Sequence, residues 1–156
     1  MIVVGIDPGL AKVGYGVLSR ANGYLTPLDF GCIKTDSDQR HSQRLREIYD
    51  QISLIFDEYS PAWIAVEQLF FSRNVTSAMH VSEARGVLLL AAEQRGIAIA
   101  EYTPNQIKQA VTGSGRADKH QVQEMMQRLL RLQEIPRPDD AADGLAVALC
   151  HMNVLR

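Results

Sequence analysis

Residues 2–9 read Ile2-Val3-Val4-Gly5-Ile6-Asp7-Pro8-Gly9. A short, nearly continuous apolar run that stops at an acid before Pro-Gly is a buried strand ended by a tight turn, because the residue before a proline is pushed into extended geometry. The strand runs Ile2 to Ile6 and hands its end to a carboxylate, Asp7. Working outward, Val13 to Leu18 and Tyr24 to Ile33 are rich in β-formers and are separated by Ala21-Asn22-Gly23, whose Asn-Gly pair is a strong hairpin signal. The chain therefore opens as three antiparallel strands.

Further on, Trp63-Ile64-Ala65-Val66-Glu67 repeats the first construction, an apolar strand ending in a carboxylate, and Ile97 to Tyr102 is a fifth strand. Helical spacing fills the gaps. Leu45, Ile48, Tyr49, Ile52, Ile55 and Phe56 mark an amphipathic helix over Gln39 to Tyr59, stopped by Ser60-Pro61. A second runs from Ser77 to Arg95 and closes at Gly96. Pro104 to Val111 and Asp118 to Leu132 follow, the latter with Asp118 as cap and Val122, Met125, Met126, Leu129 and Leu130 on one stripe. Asp139 to Val154 is a strongly apolar last helix behind Pro138, with acids where a helix N-terminus favours them and Asp139 as its cap. Helices alternating with the later strands make strands one, four and five parallel. The expectation is one α/β domain over residues 1–156, with a mixed five-stranded sheet flanked by helices.

Composition narrows the function classes. The chain has 156 residues, 46% hydrophobic and 22% charged, which is an ordinary globular balance at a length that supports a core without metal or disulfide. Two cysteines far apart, Cys32 and Cys150, speak against a zinc site or a secreted disulfide framework and suit a reducing cytoplasm. No apolar run approaches the ~18 residues of a membrane span, and the first strand lacks the basic flank of a signal peptide. The net charge of −2 is unusual for a nucleic-acid binder. Acids gathered at one metal site would change that reading, since bound cations neutralise them.

Such a gathering is expected. Parallel strands of one sheet end on the same edge, where open α/β sheets place their ligands, so Asp7 and Glu67 converge. Asp140-Ala141-Ala142-Asp143 adds two acids three residues apart on one face of a first helical turn, with Cβ atoms about 5–6 Å apart. Singly, these are a turn residue, a strand-end residue and helix-dipole acids. Together they form an all-oxygen donor set that selects Mg²⁺ or Mn²⁺, and two such ions support in-line phosphodiester hydrolysis.

Several segments carry a resemblance. Gly5-Ile6-Asp7-Pro8-Gly9 with Gly14-Tyr15-Gly16-Val17, Val66-Glu67-Gln68 with Phe70 and Asn74, Ala84-Arg85-Gly86, and Asp140-Ala141-Ala142-Asp143-Gly144-Leu145-Ala146 resemble, in order and across essentially the whole chain, the RuvC family of Holliday-junction resolvases. The chain departs from the family pattern at Leu10, Ala11, Val13 and Gly144. The resemblance implies a ribonuclease-H-like fold, a homodimer, and symmetrical Mg²⁺-dependent nicking of four-way DNA junctions in recombination and repair. It also implies partnership with a RuvA- and RuvB-type branch-migration complex, and catalytic acids at Asp7, Glu67, Asp140 and Asp143.

The same resemblance makes Lys108 and Lys119 candidates for phosphate contact and Phe70 a candidate for stacking on an unpaired base. Arg73 lies beside Phe70, and Phe71 reads as a core seal. Thr112-Gly113-Ser114-Gly115-Arg116 is a glycine-rich loop able to offer backbone N–H groups and Arg116 to phosphates. Setting the four acids aside turns the net charge from −2 to +2. His151 reads as a helix-end residue, His80 and His120 as solvent-facing, and Trp63 as core. The apolar stretch Val87 to Ala92 exceeds what one helix face needs, and marks either a buried helix or a dimer interface.

Other classes share parts of this pattern. Sugar-kinase and actin-type ATP-binding proteins also open on a strand, an aspartate and glycines, but need two such domains. A ribonuclease-H-like RNA-processing nuclease, or a junction-binding module without activity, is the alternative to the resolvase. The intact four-acid set speaks for activity.

Overall fold

A computed structural model describes residues 1–69 and 74–155. Phe70, Phe71 and Arg73, singled out above, lie outside the described residues. The strands are β1 (Ile2–Asp7), β2 (Lys12–Ala21), β3 (Tyr24–Lys34), β4 (Trp63–Glu67) and β5 (Ala98–Tyr102). The helices are α1 (His41–Tyr59), α2 (Val75–Glu93), α3 (Pro104–Thr112), α4 (Lys119–Leu129) and α5 (Asp139–Val154). Sheet order is β3-β2-β1-β4-β5, with β1 antiparallel to β2, β2 antiparallel to β3, and β4 parallel to both β1 and β5. This is the expected mixed sheet with an antiparallel wing.

Local chemistry sets the boundaries. Asn22 and Gly23 both take positive φ (51° and 81°), the combination a two-residue hairpin turn requires. Reciprocal capping boxes open α3 (Thr103 with Gln106) and α4 (Asp118 with Gln121). Asn74 Oδ1 accepts from the Ser77 N–H, so α2 starts at Val75, a little before the expected Ser77. Asp139 is not a cap: Pro138 holds that position, no side chain caps the end, and Asp139 is the first helical residue.

Strand alternation divides the core into two layers. Val4, Ile6, Val13, Ile64 and Val66 face α1 and α2, packing on Ile52, Phe56 and Leu88. Val3, Leu18 and Ala65 face α5, packing with Leu145, Met152 and, from α4, Met126. On α4 the stripe is narrower than expected: Val122 and Met126 are buried, while Leu129 is exposed. Helix α5 is the central element, buried almost continuously from Ala141 to Met152. It lies so close to the sheet that a Cβ on Gly14 would strike the Asp140 carbonyl and one on Gly144 would strike the Tyr15 backbone. His151 lies in the last turn of α5, as expected of a helix-end residue, but is buried. It is 3% exposed, its Nδ1 lies 2.6 Å from the Tyr102 hydroxyl, and its ring packs on Trp63. Burial lowers its pKa.

Candidate active site

The alternation that builds the core also aims the acids. Val3, Gly5 and Asp7 point to the α5 face, as do Ala65 and Glu67. Parallel register pairs Ile6 with Val66, so the next residues, Asp7 and Glu67, end neighbouring strands side by side. The first turn of α5 comes down on the same edge because Gly14 leaves room for the Asp140 backbone. Carboxylate oxygens of Asp7, Asp140 and Asp143 consequently lie within 4.8 Å of one another. Glu67 stands beside this trio rather than in it, hydrogen-bonded to Asp7. Asp7, Glu67 and Asp143 line a cavity of about 410 Å³, walled by Ile107, Val122 and Val147, with Lys108 and Lys119 at its border.

Electrostatics record the crowding. Burial, then the Glu67 charge, pushes Asp7 up to about 8. Burial and then the Asp7 charge raise Asp143 to about 6, with Lys119 opposing. Burial also raises Glu67, against its hydrogen bond to Asp7 and the Lys108 charge. Carboxylates crowded at partly buried positions repel one another as ions, and a divalent cation relieves that repulsion. Hard oxygen donors with no thiol or imidazole among them fit Mg²⁺ or Mn²⁺ chemistry.

The other expected residues divide. Lys108 and Lys119 reach the cavity, and Lys119 Nζ lies 3.6 Å from Asp139 and 3.8 Å from Asp143. Arg116 does not line it; it borders a separate cleft with Thr112 and Ser114. The glycine-rich loop also differs from expectation, because its N–H groups are already used. Gly113 donates to the Gln109 carbonyl, Ser114 to Thr112 Oγ1, Gly115 to Gln109 Oε1 and Arg116 to Ser114 Oγ. Those donors brace the loop and leave only side chains for phosphates. His120 pairs with Glu124 on the helix surface, and His80 lies against His41, whose Nε2 meets Glu83. Lys12 and Lys34, which border the acid edge from the β2–β3 side, were not singled out by sequence reasoning. Their pairing depends on strand register, which no local motif announces.

Comparison with known proteins adds a consistent result. A family-wide sequence profile described as "Crossover junction endodeoxyribonuclease RuvC" matches residues 3–151. A protein of that description from Pseudothermotoga lettingae is 51% identical over 154 residues, covering 99% of this chain and 95% of the relative. Another from Desulfitobacterium hafniense is 51% identical over 151 residues, covering 97% and 92%. Among solved structures, Thermus thermophilus RuvC in complex with Holliday junction substrate superposes with a TM-score of 0.94 at 36% identity, covering all of this chain and 95% of that one. The yeast mitochondrial Holliday junction resolvase Ydc2 has a TM-score of 0.66 at 16% identity, covering 96% and 78%, a likeness of fold alone. The fold is ribonuclease-H-like, as expected.

Proposed function

We infer, from the premise that this chain belongs to the RuvC family of crossover junction endodeoxyribonucleases, that it resolves four-way DNA junctions by nicking two strands symmetrically during recombination and repair. The observation that carries the reading is the convergence of Asp7, Asp140 and Asp143 on one sheet edge, with Glu67 beside Asp7. The whole chain, residues 1–156, serves as one nuclease domain. Asp7, Glu67, Asp140 and Asp143 would hold Mg²⁺, with Mn²⁺ as a substitute and two ions per site. Held there, such ions would supply water activation and charge stabilisation at the leaving oxygen.

The chain's own groups do the rest. The acids fix where the scissile phosphate must sit, and the apolar wall of Ile107, Val122 and Val147 limits water on that side. Lys108 and Lys119 border the cavity as point charges for phosphate oxygens. Lys119 also faces Asp143 and Asp139, which holds its ammonium at the mouth. Arg116 sits farther out, for a more distant phosphate. Phe70 keeps the role that family resemblance implies, stacking on a base freed at the crossover, and Arg73 is a further DNA contact.

Paired nicks follow from a two-fold homodimer, which sets two sites on opposite strands. Helix α2 supports this. Val75, Met79 and Leu90 lie exposed at helical spacing along it, with Gly86 open to solvent among them. A RuvA- and RuvB-type branch-migration complex as partner and a cytoplasmic setting complete the proposal. No described helix is long and apolar enough to cross a membrane.

The test is a labelled synthetic four-way junction beside linear duplex and RNA of the same sequence, with Mg²⁺, Mn²⁺ or EDTA. Paired nicks confined to the junction and abolished by EDTA are expected. Asp7→Asn is expected to lower the rate by on the order of 10²–10³-fold or more, the scale of losing one preorganised stabiliser, while junction binding persists. Equal cutting of duplex or RNA would instead favour an RNA-processing or unspecific nuclease.

A further inference from the structure

The rung next to the acid edge on the hairpin side bears two cations. Lys12 on β2 and Lys34 on β3 are directly opposed in the antiparallel register, so their side chains leave the sheet on the same face. That face is the α5 face. The next rung inward on that face is Gly14 opposite Cys32, and Gly14 is where the Asp140 backbone rests. Two residues of strand separate the rungs, about 7 Å at ~3.4 Å per residue. The Cys32 thiol senses all three charges: its pKa is raised by burial and then by Asp140, and pulled back by Lys34 and Lys12.

Both lysines are exposed, and neither forms an ion pair among the described residues. Like charges directly opposed across strands destabilise a sheet. Asp36, the acid nearest Lys34 in sequence, accepts from the Asp38 N–H through Oδ1. The corner is also braced: Thr35 Oγ1 donates to the Leu10 carbonyl at 2.6 Å and accepts from Arg44 Nε at 2.9 Å, which adds a third cation nearby. Two unpaired ammonium groups held on a rigid rung beside a phosphodiester-cleaving site call for an anionic ligand.

We propose that Lys12 and Lys34 form a second phosphate-binding site, which grips the DNA backbone on the β2–β3 side of the acids while Lys108 and Lys119 grip it on the α3–α4 side. This rests on the junction-nuclease reading above. The separation of about 7 Å from the rung under Asp140 spans at most two phosphates of one strand, since each rises ~3.4 Å along the axis and is also displaced around it. The strand to be cut thus crosses the acids between two pairs of lysines, and the hairpin pair contacts it one or two nucleotides from the cleaved phosphate.

The experiment measures binding of a fluorescent four-way junction in EDTA across a KCl series. Lys12→Ala/Lys34→Ala is expected to weaken binding several-fold and to lower the slope of log affinity against log salt by about 1 per lysine. Lys12→Arg/Lys34→Arg restores both. Arg20→Ala/Arg131→Ala removes the same charge near the far end of α5, where these arginines border clefts with Asn153 and Leu129; it leaves the slope unchanged. Neutral methylphosphonates at the two phosphates beside the cut lower wild-type affinity but not that of the alanine pair. The melting temperature of the alanine pair is not lowered, whereas a structural role would lower it. A wild-type slope and affinity in the alanine pair, with the wild type binding the junction well, overturns the inference alone. A wild type that prefers no junction over duplex overturns the functional reading on which it rests.

Discussion

Asp7 shows how one side chain links stability to function. It ends β1 at a partly buried position, and its neighbours are carboxylates, so as an ion it strains the metal-free fold. Its folded pKa of about 8 lies above the ordinary 3.8. The sign follows from linkage: a group whose folded pKa is raised contributes stability that is full below about pH 4 and lost as pH rises through 8. In EDTA, Asp7→Asn is therefore expected to match wild type in melting temperature below about pH 4 and to exceed it increasingly up to pH 8. About 1 kcal/mol would appear as ~2–4 °C. Added Mg²⁺ should stabilise the wild type more than the variant. Differential scanning fluorimetry across pH checks this, and a gap independent of pH would refute it. The four acids were legible in the sequence because each stands at the end of a recognisable element. Lys12 and Lys34 were not, since only register makes them partners.

At the scale of elements, α5 and β2 decide the geometry. Gly14 is a seat: it lets the first turn of α5 come down until Asp140 and Asp143 reach Asp7. Gly14→Ala would set the new methyl against the Asp140 backbone, a clash that side-chain repacking cannot relieve. A loss of about 1–3 kcal/mol is expected, with cleavage falling more than junction binding as the acids separate. Chemical denaturation and single-turnover cleavage together test it; unchanged cleavage would show that the helix does not need the glycine. The strand and helix order, the hairpin and the Asp118 cap could be read from local chemistry. The burial of His151 and the braced N–H groups of residues 113–116 could not, because both depend on what tertiary packing brings alongside.

For the whole molecule, the uneven spread of charge matters more than its sum. A chain of net charge −2 can hold DNA because four of its 18 acids meet at one edge, where bound cations neutralise them, and lysines flank that edge on two sides. The second whole-molecule feature is the exposed stripe on α2. Met79→Glu/Leu90→Glu is expected to turn a dimer into monomers, as judged by sedimentation, and to convert paired nicks into single uncoupled ones. Single-site cutting of either strand would persist, because neither residue lines the cavities that Asp7 and Glu67 line. A dimer that survives both charges would place the interface elsewhere.

Helix α5 combines two properties that usually belong to different parts of an enzyme. It carries half the acids, and it is the most continuously buried helix, running beneath the sheet from Asp140 to the pocket around His151. Amide protons from Ala141 to Leu149 should then exchange with solvent only when the entire protein opens. The acid edge thus belongs to the last region to come apart, not to a loosely held loop. Heat or denaturant would leave no population that is folded but locally melted at its acids: each molecule either keeps its cutting edge or has lost its native structure altogether.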